Sequence, residues 1–413
     1  MCGDKMKTII IGAGASGLIS AIYAAKNSSE VIILERNDTS AKKILITGNG
    51  RCNYYNEDQN INHYHSENNE LIKDIITKEN TDEIMNFYNK IGIVPKIKDG
   101  YYYPYSNQAT SIKEALLTEA KIKGVKIITG ENVTKINKNN NKFVIETENN
   151  TYNADKVILA TGSKAYPKTG SDGSGYLLAS FFGHKITNIY PSLSQLKGEE
   201  SYFKNWGGVR ADVKVSLLEK NKIIKEEKGE IQLTNNGVSG ICIFNLSGLA
   251  SKGLMEGKKE EIVINFMPWL NNFNEASNYL EERNKKLKNR TIEQFLEGFL
   301  NYKLIHVILK LSKINKDDFW NELNIEKKKN LIQNLISFTL KITKISSFEE
   351  SQVCKGGVSL EEINVKTMES KLEKNLYIIG ELLDVDGDCG GYSLAFAWIS
   401  GMLAGKNIGD KND

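Results

Sequence analysis

Three glycines at fixed spacing, Gly12-Ala13-Gly14-Ala15-Ser16-Gly17, stand between the run Lys7-Thr-Ile-Ile-Ile11 and the small apolar stretch Leu18 to Ala25. A buried strand, a glycine turn and a helix in that order suit the pyrophosphate of a dinucleotide. Gly12 permits the tight turn, Gly14 lets the backbone approach the phosphates, and Gly17 lets the helix lie close to the sheet. The start of the helix adds N–H donors and the positive end of its dipole. A second strand, Val31-Ile-Ile-Leu34, ends in Glu35-Arg36. A carboxylate there accepts from ribose hydroxyls and disfavours a 2′-phosphate. A lone glycine turn without a ligand would need none of these companions.

Two further stretches carry chemistry. Lys42-Lys43-Ile-Leu-Ile-Thr-Gly48-Asn-Gly50-Arg51-Cys52-Asn53 is a glycine-rich basic loop that could run along a cofactor toward its reactive ring, or could equally be a solvated surface loop. Asn375-Leu-Tyr-Ile-Ile-Gly380-Glu381-Leu-Leu-Asp384 reads as a strand entering an acidic turn. It is followed by Gly387-Asp-Cys-Gly390-Gly391-Tyr392 and the small-residue helix Ser393 to Gly405. The positive end of that helix would stabilise an anionic reduced flavin ring. Its Ala395, Ala397, Gly401 and Ala404 also suit a helix thinned for close packing.

The elements that must hold these residues follow from periodicity. The first thirty residues of the turn region read as a βαβ unit. Helical spacing is expected around Leu71 to Ile91 and Ser111 to Lys123, and strands at Val125 to Thr129, Asn132 to Lys138, Lys142 to Glu148 and Lys156 to Gly162. Residues 190–268 alternate like strands, as in Ala211 to Leu217 and Gly229 to Thr234. Residues 270–335 have helical spacing, and Phe338 to Ile342 returns to strand. The predicted fold class is α/β, with a Rossmann-like dinucleotide domain made by both chain ends. Its expected extents are 1–190 and 346–413, with a β-rich insert at 191–269 and 336–345 and a helical subdomain at 270–335.

Composition bounds the partners. The chain has 413 residues, 54 Lys plus Arg against 51 Asp plus Glu, and a net charge of +3, which gives no footprint for nucleic acid. The basic clusters Asn284 to Arg290 and Glu326 to Lys329 read as solvated helix faces. Glycines interrupt the apolar start, so no export signal or membrane anchor is expected. Five scattered cysteines, Cys2, Cys52, Cys242, Cys354 and Cys389, lack any C-x-x-C pair or metal-ligand spacing. A reduced, cytoplasmic chain without a metal is the expectation. Cys52 stands alone after Glu35, where a disulfide reductase would carry two cysteines. Cys52 and Cys389 either meet across a flavin or pack as small residues beside it.

The pair of segments ITGNGRCN and GELLDVDGDCGGYSLAFAWISGMLAG resembles the BaiN/RdsA-type FAD-dependent oxidoreductases, which include bile-acid dehydro-reductases and aminoacetone oxidases. Ala160-Thr161-Gly162, Tyr166 to Tyr176, Gly229 to Gly240 and Gly356-Gly-Val358 extend the likeness from about residue 6 to 406. The resemblance implies an FAD domain of glutathione-reductase type. It implies that Arg51 and Asn53 lie near the flavin, that Val133 backs the adenine, and that Asp384 and Gly391, Tyr392 and Leu394 hold the ribityl and ring end. Ala13, Ala15, Arg36, Lys43, Gly50, Cys52, Ala160, Thr161, Gly162, Gly380 and Glu381 complete the expected cofactor set. The chain departs from the pattern at Ile241, where proline is expected, and at Ser393, where asparagine is common. Both departures bear on the substrate more than on the cofactor.

The implied activity is transfer of a hydride through FAD between NAD(P)H and a small enone or enoyl compound. An amine or aminoketone oxidase using oxygen is the first alternative, and a non-catalytic or RNA-associated flavoprotein the second. Gly170-Ser-Asp-Gly-Ser-Gly175 follows no buried strand, so NADH or NADPH would bind transiently over the flavin. None of the four histidines, His63, His65, His184 and His306, falls inside a flavin motif, with His63 and His65 expected in a loop. The sequence names no catalytic acid or base and no oligomeric state.

Overall fold

The computed structural model describes residues 6–28 and 30–408; Cys2 and the remainder of the first five residues lie outside them. The chain packs as two compact units. One comprises the described residues up to Tyr190 together with those from Gln352, and the other is Pro191–Ser351.

The first unit is built on β1 (Lys7–Ile11), α1 (Ala15–Ala24), β2 (Glu30–Glu35), β3 (Lys126–Thr129), β4 (Lys156–Leu159), β5 (Leu376–Ile378) and α2 (Tyr392–Asn407). The five strands lie in the order β3-β2-β1-β4-β5, all parallel, and two short antiparallel strands, Glu369–Ser370 and Ile363–Asn364, extend the sheet beyond β5. Ile9, in register with Ile32 and Val157, is completely buried, as befits a β-branched run covered on both faces. The reversal of strand order beside β1 opens the crevice at the carboxyl ends of the strands where doubly wound sheets bind ligands.

α2 packs on α1 almost backbone to backbone. A β-carbon at Gly401 would lie 2.5 Å from the Ser16 carbonyl oxygen, and one at Gly405 2.4 Å from that of Ser20. The small residues of the last helix therefore do serve close packing. Elsewhere the helix expected around Leu71 to Ile91 is split into a short helix, Asn69–Ile72, and a longer one, Lys78–Lys90. Thr77 caps the longer helix, its hydroxyl accepting from the Asn80 N–H at 3.2 Å, so the chain turns between the two. Residues 42–53 are not a simple loop: Lys42–Ile46 is a short helix and Thr47–Gly50 a tight turn.

The second unit carries a six-stranded antiparallel sheet, including Arg210–Glu219 paired with Lys222–Thr234 and Glu260–Asn265 paired with Phe338–Ile342. The strand-like reading of 190–268 fails at Ile241–Met255, which is a helix burying Cys242, Ile243, Leu246 and Ala250 at helical spacing. Ile241 occupies its first position, the place where proline is readily accepted. Helices Phe273–Lys286, Tyr302–Leu311 and Ile325–Ile336 share one core with this sheet. Residues 346–351 belong to this unit.

Candidate functional site

The turn after β1 has the geometry its glycines suggest. Gly12, at φ +105°, donates its N–H to the Leu34 carbonyl at 2.8 Å, and a β-carbon there would sit 2.5 Å from the Ala160 carbonyl oxygen. Gly14 caps α1 without a side-chain partner, and nothing lies within 4 Å of where its β-carbon would be. Open space at the start of a ten-residue helix, with Ala13 and Ala15 adding little bulk, is what a phosphate pair needs.

Glu35 is buried at the end of β2 and is already engaged. Its carboxylate accepts from the Ala13 N–H, the Asn37 N–H and the Asn37 side-chain amide, each at 2.8 Å. These donors fix the carboxylate over the glycine turn, and the oxygen facing Ala13 retains a lone pair for a hydroxyl. The backbone carbonyl of Glu35 receives the Glu131 N–H at 2.9 Å, which brings the buried Val133 to the same edge.

Beside the turn, Ala160 donates its N–H to the Ile11 carbonyl at 2.9 Å. The Thr161 hydroxyl is buried without a partner, and Gly162, at φ +74°, leaves room for Ser171. At the end of β5, Gly380 sits against Ser16 with a would-be β-carbon 2.5 Å from its hydroxyl. Glu381 follows and accepts from Lys43 Nζ at 2.6 Å and from Ser163 Oγ at 3.1 Å. This ties the segment after β2 to the strand from the far end of the chain.

The start of α2 closes the other side. Gly391, at φ +97°, precedes Tyr392, and its β-carbon would meet the Tyr55 backbone at 2.8 Å and Asn53 Oδ1 at 3.0 Å. Asn53 Oδ1 is itself buried with no partner. Cys52 holds φ +57° and donates its N–H to the Thr47 carbonyl at 2.9 Å, while Gly50, at φ +80°, turns Arg51 onto the Tyr103 ring at 4.9 Å. Leu394 is half-buried on the helix. Open space at one helix start, a fixed acid at the adjacent strand end and orphaned amide and hydroxyl oxygens farther along fit an extended dinucleotide such as FAD.

Two of the expected cofactor residues are also held by protein groups. Arg36 pairs with Asp172 at 2.5 Å and reaches the Gly170 carbonyl at 3.4 Å, bracing that glycine turn. Asp384 turns one oxygen to the Glu67 N–H at 2.9 Å and the Ser66 hydroxyl at 3.2 Å, and burial raises its pKa. Burial pushes the Cys52 thiol up to about 12 and that of Cys389 up to about 11, which disfavours the thiolate. Cys52, Cys242 and Cys354 form no disulfide. Among the described residues no cluster could hold a metal, and no helix is long and apolar enough to cross a membrane.

Sequence reasoning missed Asn37, Ser163 and, above all, the two loop histidines. His63 and His65 stand against Asp388 beside the second glycine turn. Their spacing of two, matched by Asp384, Asp386 and Asp388, places alternate side chains on one side of an extended segment and was the available signal.

Comparison with known proteins matches residues 6–407 to the family described as HI0933-like protein Rossmann domain. The chain is 40% identical over 407 residues to a 3-dehydro-bile acid delta(4,6)-reductase of Clostridium scindens, covering 97% of this chain and 98% of the relative. It is 25% identical over 411 residues to a ribosomal RNA dihydrouridine synthase of Escherichia coli, covering 98% of each. A solved 3-ketosteroid-delta4-(5alpha)-dehydrogenase from Rhodococcus jostii shares the fold, with a TM-score of 0.50 at 13% identity over 98% of this chain and 97% of that one.

Proposed function

The chain belongs to the HI0933-like Rossmann family and is an FAD-dependent oxidoreductase, and on that premise we propose that it saturates a carbon–carbon double bond conjugated to a carbonyl in a small organic molecule, with NADH or NADPH as donor. The observation that carries this reading is the 40% identity, along nearly the whole of both chains, to a delta(4,6)-reductase. The E. coli relative is named for a dihydrouridine product, in which a double bond conjugated to a carbonyl is likewise saturated. The reaction class is thus common to both names, although the substrates differ.

Bound FAD would supply the hydride carriage, accepting from the nicotinamide and delivering to the alkene. The protein's share is binding and orientation. The N–H groups opening α1 would take the pyrophosphate, Glu35 the adenosine ribose, and Val133 the adenine. Glu381, held by Lys43 and Ser163, would meet the ribityl hydroxyls, with Thr161 beside it. Asn53 and the start of α2 would take the ring, whose negative charge after reduction the helix end favours. The turn Gly170–Gly175 opens only the short helix Ser174–Ser180 and gives no second dinucleotide site, which supports a transient visit by the nicotinamide.

The test is anaerobic mixing of purified, yellow protein with NADH and with NADPH while flavin absorbance is followed. Bleaching by either, then recolouring by a 3-oxo-4-ene steroid, supports the reading. Recolouring only by uridine-containing RNA transfers the activity to the RNA substrate, against the balanced charge of this chain. No bleaching by nucleotide, but bleaching by an amine with peroxide release in air, overturns it in favour of an oxidase.

A further inference from the structure

One carboxylate receives two histidines at the threshold of α2. The antiparallel pairing of Asp386–Gly387 with Tyr64–His65, extended by the Asp388 N–H donated to the His63 carbonyl at 2.8 Å, sets the register. Asp388 Oδ2 then lies 3.0 Å from His63 Nδ1, and Oδ1 2.9 Å from His65 Nε2, with the Asp388 side chain only 9% exposed. The other nitrogen of His63 lies 3.2 Å from Oδ2 of Asp58, whose side chain is 65% exposed. The His63 ring is stacked on Tyr392, the first residue of α2, with centroids 4.5 Å apart and planes 18° from parallel.

An ionised carboxylate can only accept, so a histidine nitrogen facing one must carry a proton for the contact to be a hydrogen bond. His63 faces a carboxylate at each nitrogen. In the neutral ring it donates to one of them and confronts the other with a bare lone pair; one added proton satisfies both. The cluster therefore contains a built place for a single proton, reached from solvent past Asp58. The groups around it include Asp58 from the same loop, Asp388, Asp386 and Cys389 from the segment before α2, and Tyr392 and Tyr101. Lys355 stands 3.5 Å from Asp386. Burial raises Tyr101 and pushes Cys389 up to about 11. Negative charge arriving at the start of α2 is weakly screened there and favours a proton on both nitrogens of His63.

We propose that His63, held by Asp388 with His65 behind it, takes up one proton from solvent when a ligand at the start of α2 gains negative charge. This rests on the reading above, in which that ligand is the flavin ring receiving a hydride from NAD(P)H. The hydride carries two electrons and one proton to the ring. The compensating proton comes from water, passes Asp58 and forms the second N–H bond of His63, and no other covalent bond of the protein changes. His63, His65 and Asp388 act through charge and are positioning residues.

The test counts protons rather than turnovers. The purified holoprotein is reduced anaerobically in weak buffer near neutral pH with a pH-indicating dye, and protons consumed per flavin reduced are compared with those of Asp388→Asn and His63→Gln. Greater uptake by the unmodified protein is expected, together with a shift of the His63 ring resonances on reduction in nuclear magnetic resonance spectra. Equal uptake in all three proteins, with unmoved histidine resonances, overturns the proposal while leaving the flavin assignment intact. Should either variant fail to fold, His65→Gln and the resonance shift in the unmodified protein decide the matter. Purified protein that binds no flavin overturns the underlying reading and the proposal with it.

Discussion

A β-carbon on Gly17 would lie 2.0 Å from the carbonyl oxygen of Gly12, whereas the same atom on Gly14 would meet nothing within 4 Å. The two outer glycines answer to the fold, and the middle one to whatever occupies the space in front of it. Gly17→Ala should destabilise the first unit by about 2–4 kcal/mol, through overpacking against backbone that cannot move aside. Gly14→Ala should leave the unfolding midpoint of flavin-free protein nearly unchanged and weaken FAD binding about tenfold or more, as measured by fluorescence titration. Equal stability losses in the two variants would refute this division.

Glu35 organises the turn through three donors as well as offering an oxygen to a ribose. Glu35→Gln puts an amide donor where Ala13 or Asn37 already donates. We expect a loss of FAD affinity corresponding to about 1–3 kcal/mol, with Glu35→Ala at least as severe. Retention of full affinity by Glu35→Gln in equilibrium dialysis would exclude the carboxylate from ribose recognition.

Burial raises the thiols of Cys52 and Cys389 far above the usual range, which predicts poor nucleophiles near neutral pH. Native protein should react slowly with a disulfide reagent at these positions, and rapidly once unfolded. Cys389→Ala and Cys52→Ala should both keep reduction of the flavin by its nucleotide donor. Loss of that reduction in either, with flavin still bound, would show a thiol relay.

In the second unit, Glu260 is buried against Gly253, and burial, followed by the charge of Glu219, raises its pKa from 4.5 to about 7. Its folded value lies above its unfolded value, so its contribution to stability is fully present below about pH 4.5 and lost as pH rises through about 7. Glu260→Gln should therefore stabilise this unit at mildly alkaline pH by about 1–3 kcal/mol and flatten the pH dependence of the urea midpoint. An unchanged slope between acidic and alkaline buffers would count against the buried acid.

The parts of this protein that were legible in its sequence are those whose partners are close along the chain. Gly12, Gly14, Gly17 and Glu35 fall within one βαβ unit, so spacing alone orders them. The helix Ile241–Met255 was hidden because Ile241, Cys242, Ile243, Phe244, Leu246 and Leu249 leave no clear polar face, and a short apolar run after glycine serves strand or helix equally. The partner of Arg36, Asp172, comes from a turn far along the chain and could not be read from the residues around Arg36. His63 and Asp388 are 325 positions apart, and a hydrogen bond across that separation leaves no trace in local composition.

Because β4 pairs with β5 and α1 is covered by α2, the parallel sheet is laid down from both ends of the message. During synthesis the first 190 residues emerge with β4 lacking its neighbour and the Ser16 face of α1 bare, and they stay so until about residue 405 has left the ribosome. The continuous segment Pro191–Ser351 has no such wait. The inserted unit can fold while the first remains open, so the interval before α2 arrives is when the first unit exposes an unpaired strand edge and a bare helix face.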